Sequence, residues 1–166
     1  MLRAFLACAA CGTVVCAGCD RGSRSTSRAR DGFGPQEISI RVPAALSIAR
    51  GIGALSVSID PASLADTTVQ ADRGTFIGVE AEVFVFPVGQ ARAAARGHSL
   101  QSSADFGAVT ATWDAEHDGI PGSGTKYIAE MQLVLFETDV APGREWNPHS
   151  GHYKSLWTRT LRQAEE

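Results

Sequence analysis

Apolar and polar residues alternate with a period of two over much of the chain after Gln36. In 38–42, Ile, Ile and Val alternate with Ser and Arg, and in 55–59, Leu, Val and Ile alternate with serines. This pattern indicates a strand with one buried face. Further strands are predicted over 79–86, 109–113, 126–137 and 153–162.

Turn-forming residues separate these runs, as where Asp60-Pro61 closes the second one. Short alternating runs with Gly, Pro and Asp between them are typical of antiparallel sheets. About seven strands in residues 36–166 predict an all-β fold, an antiparallel β-sandwich of immunoglobulin-like or transthyretin-like outline. A small barrel would produce the same pattern.

Two stretches predict one or two short helices within this domain. Residues 89–96 are rich in Ala and Arg, which are good helix formers. Residues 44–50 follow Pro43 and are predicted to form a single helical turn.

Phe84 and Phe86 fall between the inward valines of 79–86, so this strand is predicted to be covered on both faces near its end.

The N-terminus has no such alternation. Met1-Leu2-Arg3 is a short positive start, and residues 4–17 are uncharged and mostly apolar. That length fits the apolar helix of an export signal and is too short to span a bilayer. A buried N-terminal helix is the alternative interpretation.

All four cysteines lie in this segment, at Cys8, Cys11, Cys16 and Cys19. Their C-x-x-C-x-x-x-x-C-x-x-C spacing is also that of a zinc or iron–sulfur site. The residues between them are Ala, Gly, Thr and Val, none of which carries a charge to solvate a cluster of thiolates. The export interpretation is therefore favoured over the metal one.

The segment ends in Ala17-Gly18-Cys19, two small residues before a cysteine, and Asp20 follows at once. This arrangement resembles the lipobox of bacterial lipoproteins. The usually aliphatic position three residues earlier holds Cys16, whose thiol behaves as a small hydrophobe. The resemblance covers residues 1–20 and implies cleavage before Cys19, a diacylglycerol on its thiol and a place in the cell envelope. In lipoproteins of enterobacterial type, an Asp after the cysteine is associated with the inner membrane.

Three regions follow from these patterns: a signal peptide over 1–18, the lipidated cysteine with a flexible basic tether over 19–35, and a domain over 36–166. The tether carries four Arg against two Asp and suits contact with anionic lipid head groups.

The whole chain has a net charge of −3, but the domain holds 10 Lys and Arg against 16 Asp and Glu, a net charge of −6. A domain of that sign repels phosphate backbones, so nucleic acid is not an expected partner.

A candidate calcium loop begins at Asp114. Asp114, Glu116 and Asp118 occupy alternate positions, with Gly119 at the sixth, as in loops whose carboxylates converge on Ca²⁺. The twelfth position is Thr125 where an EF-hand needs Glu, so this is not an EF-hand. An acidic, Gly-rich hairpin loop without a metal is the favoured alternative.

Residues 146–153 hold two histidines, His149 and His152, three positions apart. In a turn both could reach Zn²⁺ or Cu²⁺, with Glu145 or an acid of another strand completing the site. The remaining histidines, His98 and His117, are placed in distant loops.

The same residues are also a candidate patch for binding a partner. Trp146 and Tyr153 flank the two histidines, and Trp and Tyr are enriched at interaction hot spots. The predicted contact residues are Trp146, His149, His152 and Tyr153.

The chain carries no G-x-S-x-G, H-E-x-x-H or P-loop motif, and the domain lacks a cysteine nucleophile. We therefore expect a membrane-anchored envelope lipoprotein whose domain is a non-catalytic binding or scaffolding module for an unidentified envelope protein. A periplasmic metal-binding protein is the alternative, with Ca²⁺ in the 114–118 loop or Zn²⁺ or Cu²⁺ at His149 and His152. An envelope hydrolase is less favoured, and no other cofactor is expected.

Overall fold

A computed structural model describes residues 34–120 and 124–166. The chain divides into two units, Met1–Asp31 and Gly32–Glu166, and all described elements belong to the second. Cys19 and the export signal lie outside the described residues. The strands are β1 (Gln36–Val42), β2 (Leu46–Gly51), β3 (Ala54–Ile59), β4 (Ala65–Ala71), β5 (Phe76–Pro87), β6 (Ala95–Gln101), β7 (Thr110–Asp114), β8 (Tyr127–Thr138) and β9 (Tyr153–Ala164).

These strands form three antiparallel sheets. Their orders are β1-β4, β2-β3-β7 and β6-β5-β8-β9. The predicted all-β, sandwich-like fold is confirmed. The four-stranded sheet is built on β5, β8 and β9, which have 12 residues each.

The core lies on one face of the four-stranded sheet. Alternate residues of β5 and β8 point into it and are fully buried, among them Val79, Val83 and Met131. Leu55, Val57 and Ile59 of β3 belong to the same core cluster, as the alternation predicts. Each fully buried aliphatic side chain of this kind contributes about 1.5–3 kcal/mol.

The opposite face of the four-stranded sheet, here called the outer face, is covered around Phe136 and bears exposed side chains elsewhere. One transverse row crosses it from His98 in β6 through Glu82 and Gln132 to Thr160 in β9. All four of these side chains are exposed. Phe84 and Phe86 also point outwards but are half-buried, so near its end β5 is partly covered on both faces.

The two helices predicted in the domain are absent. Residues 44–50 fall mostly in β2, and 89–96 form a turn followed by the start of β6. Short helices are marginal in water, whereas pairing with β5 gives the β6 backbone a ladder of hydrogen bonds. In the described residues the helices are three single 3₁₀ turns, Pro61–Ser63, Phe106–Ala108 and Pro148–Ser150.

Candidate functional site

A polar cluster on the outer face is centred on the carboxylate of Glu80. We call Glu80, His98, His149 and Tyr153 the Glu80 cluster. His98 Nε2 lies 2.9 Å from Oε1, and His149 Nε2 lies 3.2 Å from Oε1 and 3.1 Å from Oε2. The Tyr153 hydroxyl donates to Oε2 at 3.0 Å. One carboxylate thus holds three aromatic side chains.

Three separate segments bring these side chains together. Glu80 pairs with Leu100 across β5 and β6, which makes His98 a diagonal neighbour on the same face. His149 lies in the Pro148–Ser150 turn, where Asn147 Oδ1 accepts its backbone N–H at 3.2 Å. Tyr153 is the first residue of β9. The cluster therefore exists only in the folded sheet.

A stack of rings holds the segment between β8 and β9 against this face. The His149 ring stacks on Tyr153 at 4.2 Å, and Tyr153 stacks on Phe136 at 4.8 Å. The Trp146 ring also contacts Phe136, with 5.6 Å between the ring centroids, and its Nε1–H donates to the Val140 carbonyl at 3.0 Å. Trp146 and Tyr153 are half-buried, so their rings are engaged in packing within the domain.

The charge of Glu80 is stabilised by its neighbours. Burial alone would raise the pKa of this carboxyl group, whose side chain is only 18% exposed. The hydrogen bonds from His98, His149 and Tyr153 outweigh that effect and lower the Glu80 pKa below its usual range. Burial and the adjacent carboxylate raise the pKa of Tyr153, so this phenol keeps its proton and acts as a donor.

A groove of about 310 Å³ lies beside the cluster and shares His98 with it. Its other lining residues are Glu82, Phe84, Arg96 and Gly97. The Arg96 guanidinium has no hydrogen-bond or ion-pair partner within the described residues. The groove therefore combines an aromatic ring with charged groups of both signs.

In the Asp114–Asp118 loop, the carboxylates of Asp114 and Asp118 accept hydrogen bonds from the loop's own backbone. Asp114 Oδ1 accepts the N–H of Glu116 at 2.8 Å, and Asp118 Oδ2 accepts the N–H of Asp114 at 2.6 Å. His117 Nδ1 lies 3.2 Å from the same Asp114 oxygen, and this contact and the backbone donors lower the Asp114 pKa. Gly119 adopts a φ of 69°, which is the sharp bend that the sequence predicts at this position.

The two histidines paired by sequence spacing have different surroundings. His149 contacts Glu80, whereas the described hydrogen bonds of His152 are made by its backbone, with its N–H donating to Asp139 Oδ1 at 2.8 Å. The placement of His98 in a distant loop is wrong, because His98 is a strand residue beside the same carboxylate as His149. In the described part of the chain, no three His, Cys, Asp or Glu side chains stand in ready-made metal-coordinating geometry.

Comparison of the chain with protein-family models, with curated proteins and with solved structures gives no significant match. Over residues 34–120 and 124–166, no helix is long and apolar enough to cross a membrane. The chemistry assigned to the Glu80 cluster therefore rests on its own geometry.

Proposed function

We propose that this chain is an envelope lipoprotein, anchored by lipid on Cys19, whose β-domain binds another envelope protein without catalysing a reaction. The binding surface in this proposal is the outer face of the four-stranded sheet. The basic N-terminus, apolar run and Ala17-Gly18-Cys19 sequence support the anchor.

The observation that carries the binding proposal is the row of side chains through Phe84. Arg96 in β6 and Glu130 in β8 flank Phe84, and Arg162 in β9 lies beyond Glu130. A half-buried aromatic ring beside one arginine, with a second arginine two strands away in the same row, presents the residue types that are enriched at the centre of protein interfaces. The row lies on hydrogen-bonded strands, so the positions of these residues relative to one another are fixed before a partner arrives.

The charges in this row also suggest the chemistry of the partner. Arg96 and Arg162 make no side-chain hydrogen bond or ion pair with other described residues. Since Arg favours bidentate contacts with carboxylates, we expect the partner to place acidic side chains over both arginines and an apolar one over Phe84. The acidic balance of the whole domain disfavours nucleic acid at this face.

Site-specific photo-crosslinking in cells tests this proposal. A crosslinking residue at position 132, in the centre of the outer face, should give a defined protein adduct. Arg96→Glu and Phe84→Ser should each remove the adduct, because they take away a charge contact and an aromatic contact. Arg92→Glu and Ile52→Ser are matched controls, since Arg92 and Ile52 are exposed residues of connections outside the strands of the four-stranded sheet.

An adduct lost in the two outer-face variants and kept in the two controls, with unchanged thermal stability in all four, supports the proposal. Equal adduct yields in all variants would remove the outer face as the binding surface.

A further inference from the structure

We propose that His98, His149 and Glu80 form a binding site for a divalent metal ion of the zinc class on the outer face. Both imidazole Nε2 atoms lie within 3.2 Å of the same oxygen, Oε1 of Glu80. Two imidazoles and one carboxylate are a donor set that Zn²⁺ accepts, whereas Ca²⁺ takes oxygen ligands. This set replaces the His149 and His152 pair that the sequence spacing predicts.

The three donor groups are now joined by hydrogen bonds instead of metal–ligand bonds. Donor atoms at about 2.0–2.2 Å from a tetrahedral ion lie about 3.3–3.6 Å from one another. The present separations of 2.9–3.2 Å must therefore widen by a few tenths of an ångström when an ion enters between the three groups. Each imidazole must then carry its proton on Nδ1 and turn the Nε2 lone pair to the ion. The side chains of His98 and His149 are each 50% exposed, so both can rotate without disturbing the core.

Tyr153 gives the site an orienting contact. Its hydroxyl holds Glu80 Oε2 at 3.0 Å and leaves Oε1 directed towards the two imidazoles. Hydrogen bonds of this kind to a ligating carboxylate fix its orientation and strengthen metal binding. Tyr153 is therefore a positioning residue for the site. With three protein ligands, a tetrahedral ion keeps one position open.

The other histidines provide an internal control. His117 lies against Asp114, whose Oδ1 also accepts the N–H of Glu116. The described bonds of His152 are made by its backbone. The proposal therefore assigns His98 and His149 as metal ligands and His117 and His152 as histidines that do not bind the ion.

Isothermal titration of the membrane-extracted protein with Zn²⁺ tests the assignment. His98→Gln and His149→Gln remove the imidazoles but keep an amide that can donate to Glu80. Each should weaken the outer-face site by at least about tenfold. His117→Gln and His152→Gln should leave its affinity unchanged. The N-terminal segment is identical in wild type and in all four variants, so any Zn²⁺ that it binds contributes equally to each.

The Tyr153→Phe variant tests whether the Tyr153 hydroxyl positions the Glu80 carboxylate for metal binding or only stabilises the fold. Without the hydroxyl, the affinity for Zn²⁺ should fall by about 10- to 100-fold, while the ring stack with Phe136 is kept. A wild-type protein whose Zn²⁺ affinity is weaker than about 100 µM would overturn the proposal. So would binding that depends on His149 and His152 but not on His98. Neither result bears on crosslinking at the outer face, so the two proposals fail separately.

Discussion

At Gly78, the lack of a side chain allows the segment between β8 and β9 to pack on the sheet. A Cβ atom at this position would overlap the Phe136 ring and lie 2.7 Å from both the Trp146 ring and the Gln101 carbonyl. The sequence predicts a strand that begins at the next residue, Val79, but gives no sign that Gly78 faces two aromatic rings. Those rings come from residues more than 50 positions away.

Gly78→Ala is therefore expected to lower the free energy of unfolding by about 1–3 kcal/mol, because the rings must move to admit a methyl group. Urea unfolding followed by tryptophan fluorescence measures the change. Gly51→Ala is the control, since no atom lies within 4 Å of the Cβ position at Gly51. Equal stability of the two variants would contradict this description of the ring packing.

Replacement of Trp146 tests whether its ring stabilises the fold or binds a partner. Trp146→Ala removes the Phe136 contact and the hydrogen bond to Val140, so we expect about 2–4 kcal/mol of destabilisation. Thermal unfolding of this variant and of Ile52→Ala, whose side chain is fully exposed, measures the difference. If Trp146→Ala keeps its stability and loses partner binding, the sequence-based hot-spot hypothesis is correct and the packing role is wrong.

At the scale of elements, the alternation of apolar and polar residues predicts the strands that have one face in the core. Six of the nine described strands, β1, β3, β5, β7, β8 and β9, are predicted close to their observed bounds. The pattern misses β2, β4 and β6, whose residues lie at sheet edges or in the small ribbon and bury little. Missing β6 also hides the Glu80 cluster, because only the β5–β6 register brings His98 beside Glu80.

One ion pair connects Arg50 in β2 with Glu165, the residue that follows β9. Arg50 Nε and Nη2 donate to the two carboxylate oxygens of Glu165 at 2.7 and 2.8 Å, and Glu165 also accepts the Tyr127 N–H at 3.2 Å. The Arg50 hydrogen bond is the main cause that lowers the Glu165 pKa below its ordinary value of 4.5, against the opposing effect of burial. A lowered folded-state pKa means that the paired carboxylate stabilises the fold above pH 4.5.

Glu165→Gln is expected to cost about 1 kcal/mol at pH 7. The difference from wild type should shrink as the pH falls below 4.5 and through the lower folded-state pKa. Urea unfolding of both proteins between pH 7 and pH 3 provides the measurement. Glu166→Gln, at an exposed neighbour without a described side-chain contact, is the control. A difference that grows on acidification would contradict the role assigned to the pair.

At the scale of the whole molecule, the fold class follows from the sequence, but the candidate site does not. The alternation of apolar and polar residues is visible within each single strand. It therefore predicts strands without knowledge of which strands pair. The Glu80 cluster depends on contacts between residues up to 73 positions apart, and no local pattern records them. The spacing of His149 and His152 suggested a metal pair, but the turn at Pro148–Ser150 brings His149 to β5, where Glu80 lies between it and His98.

Anchoring through Cys19 is the central claim about the whole molecule. Intact mass spectrometry of the protein extracted from membranes tests it most directly. The proposal predicts a mature chain that begins at Cys19 and carries the added mass of acyl chains. It also predicts that Cys19→Ser abolishes that mass, while Cys11→Ser in the discarded segment leaves it unchanged. A wild-type chain that keeps residues 1–18, or one that starts at Cys19 without acyl mass, would contradict the anchor.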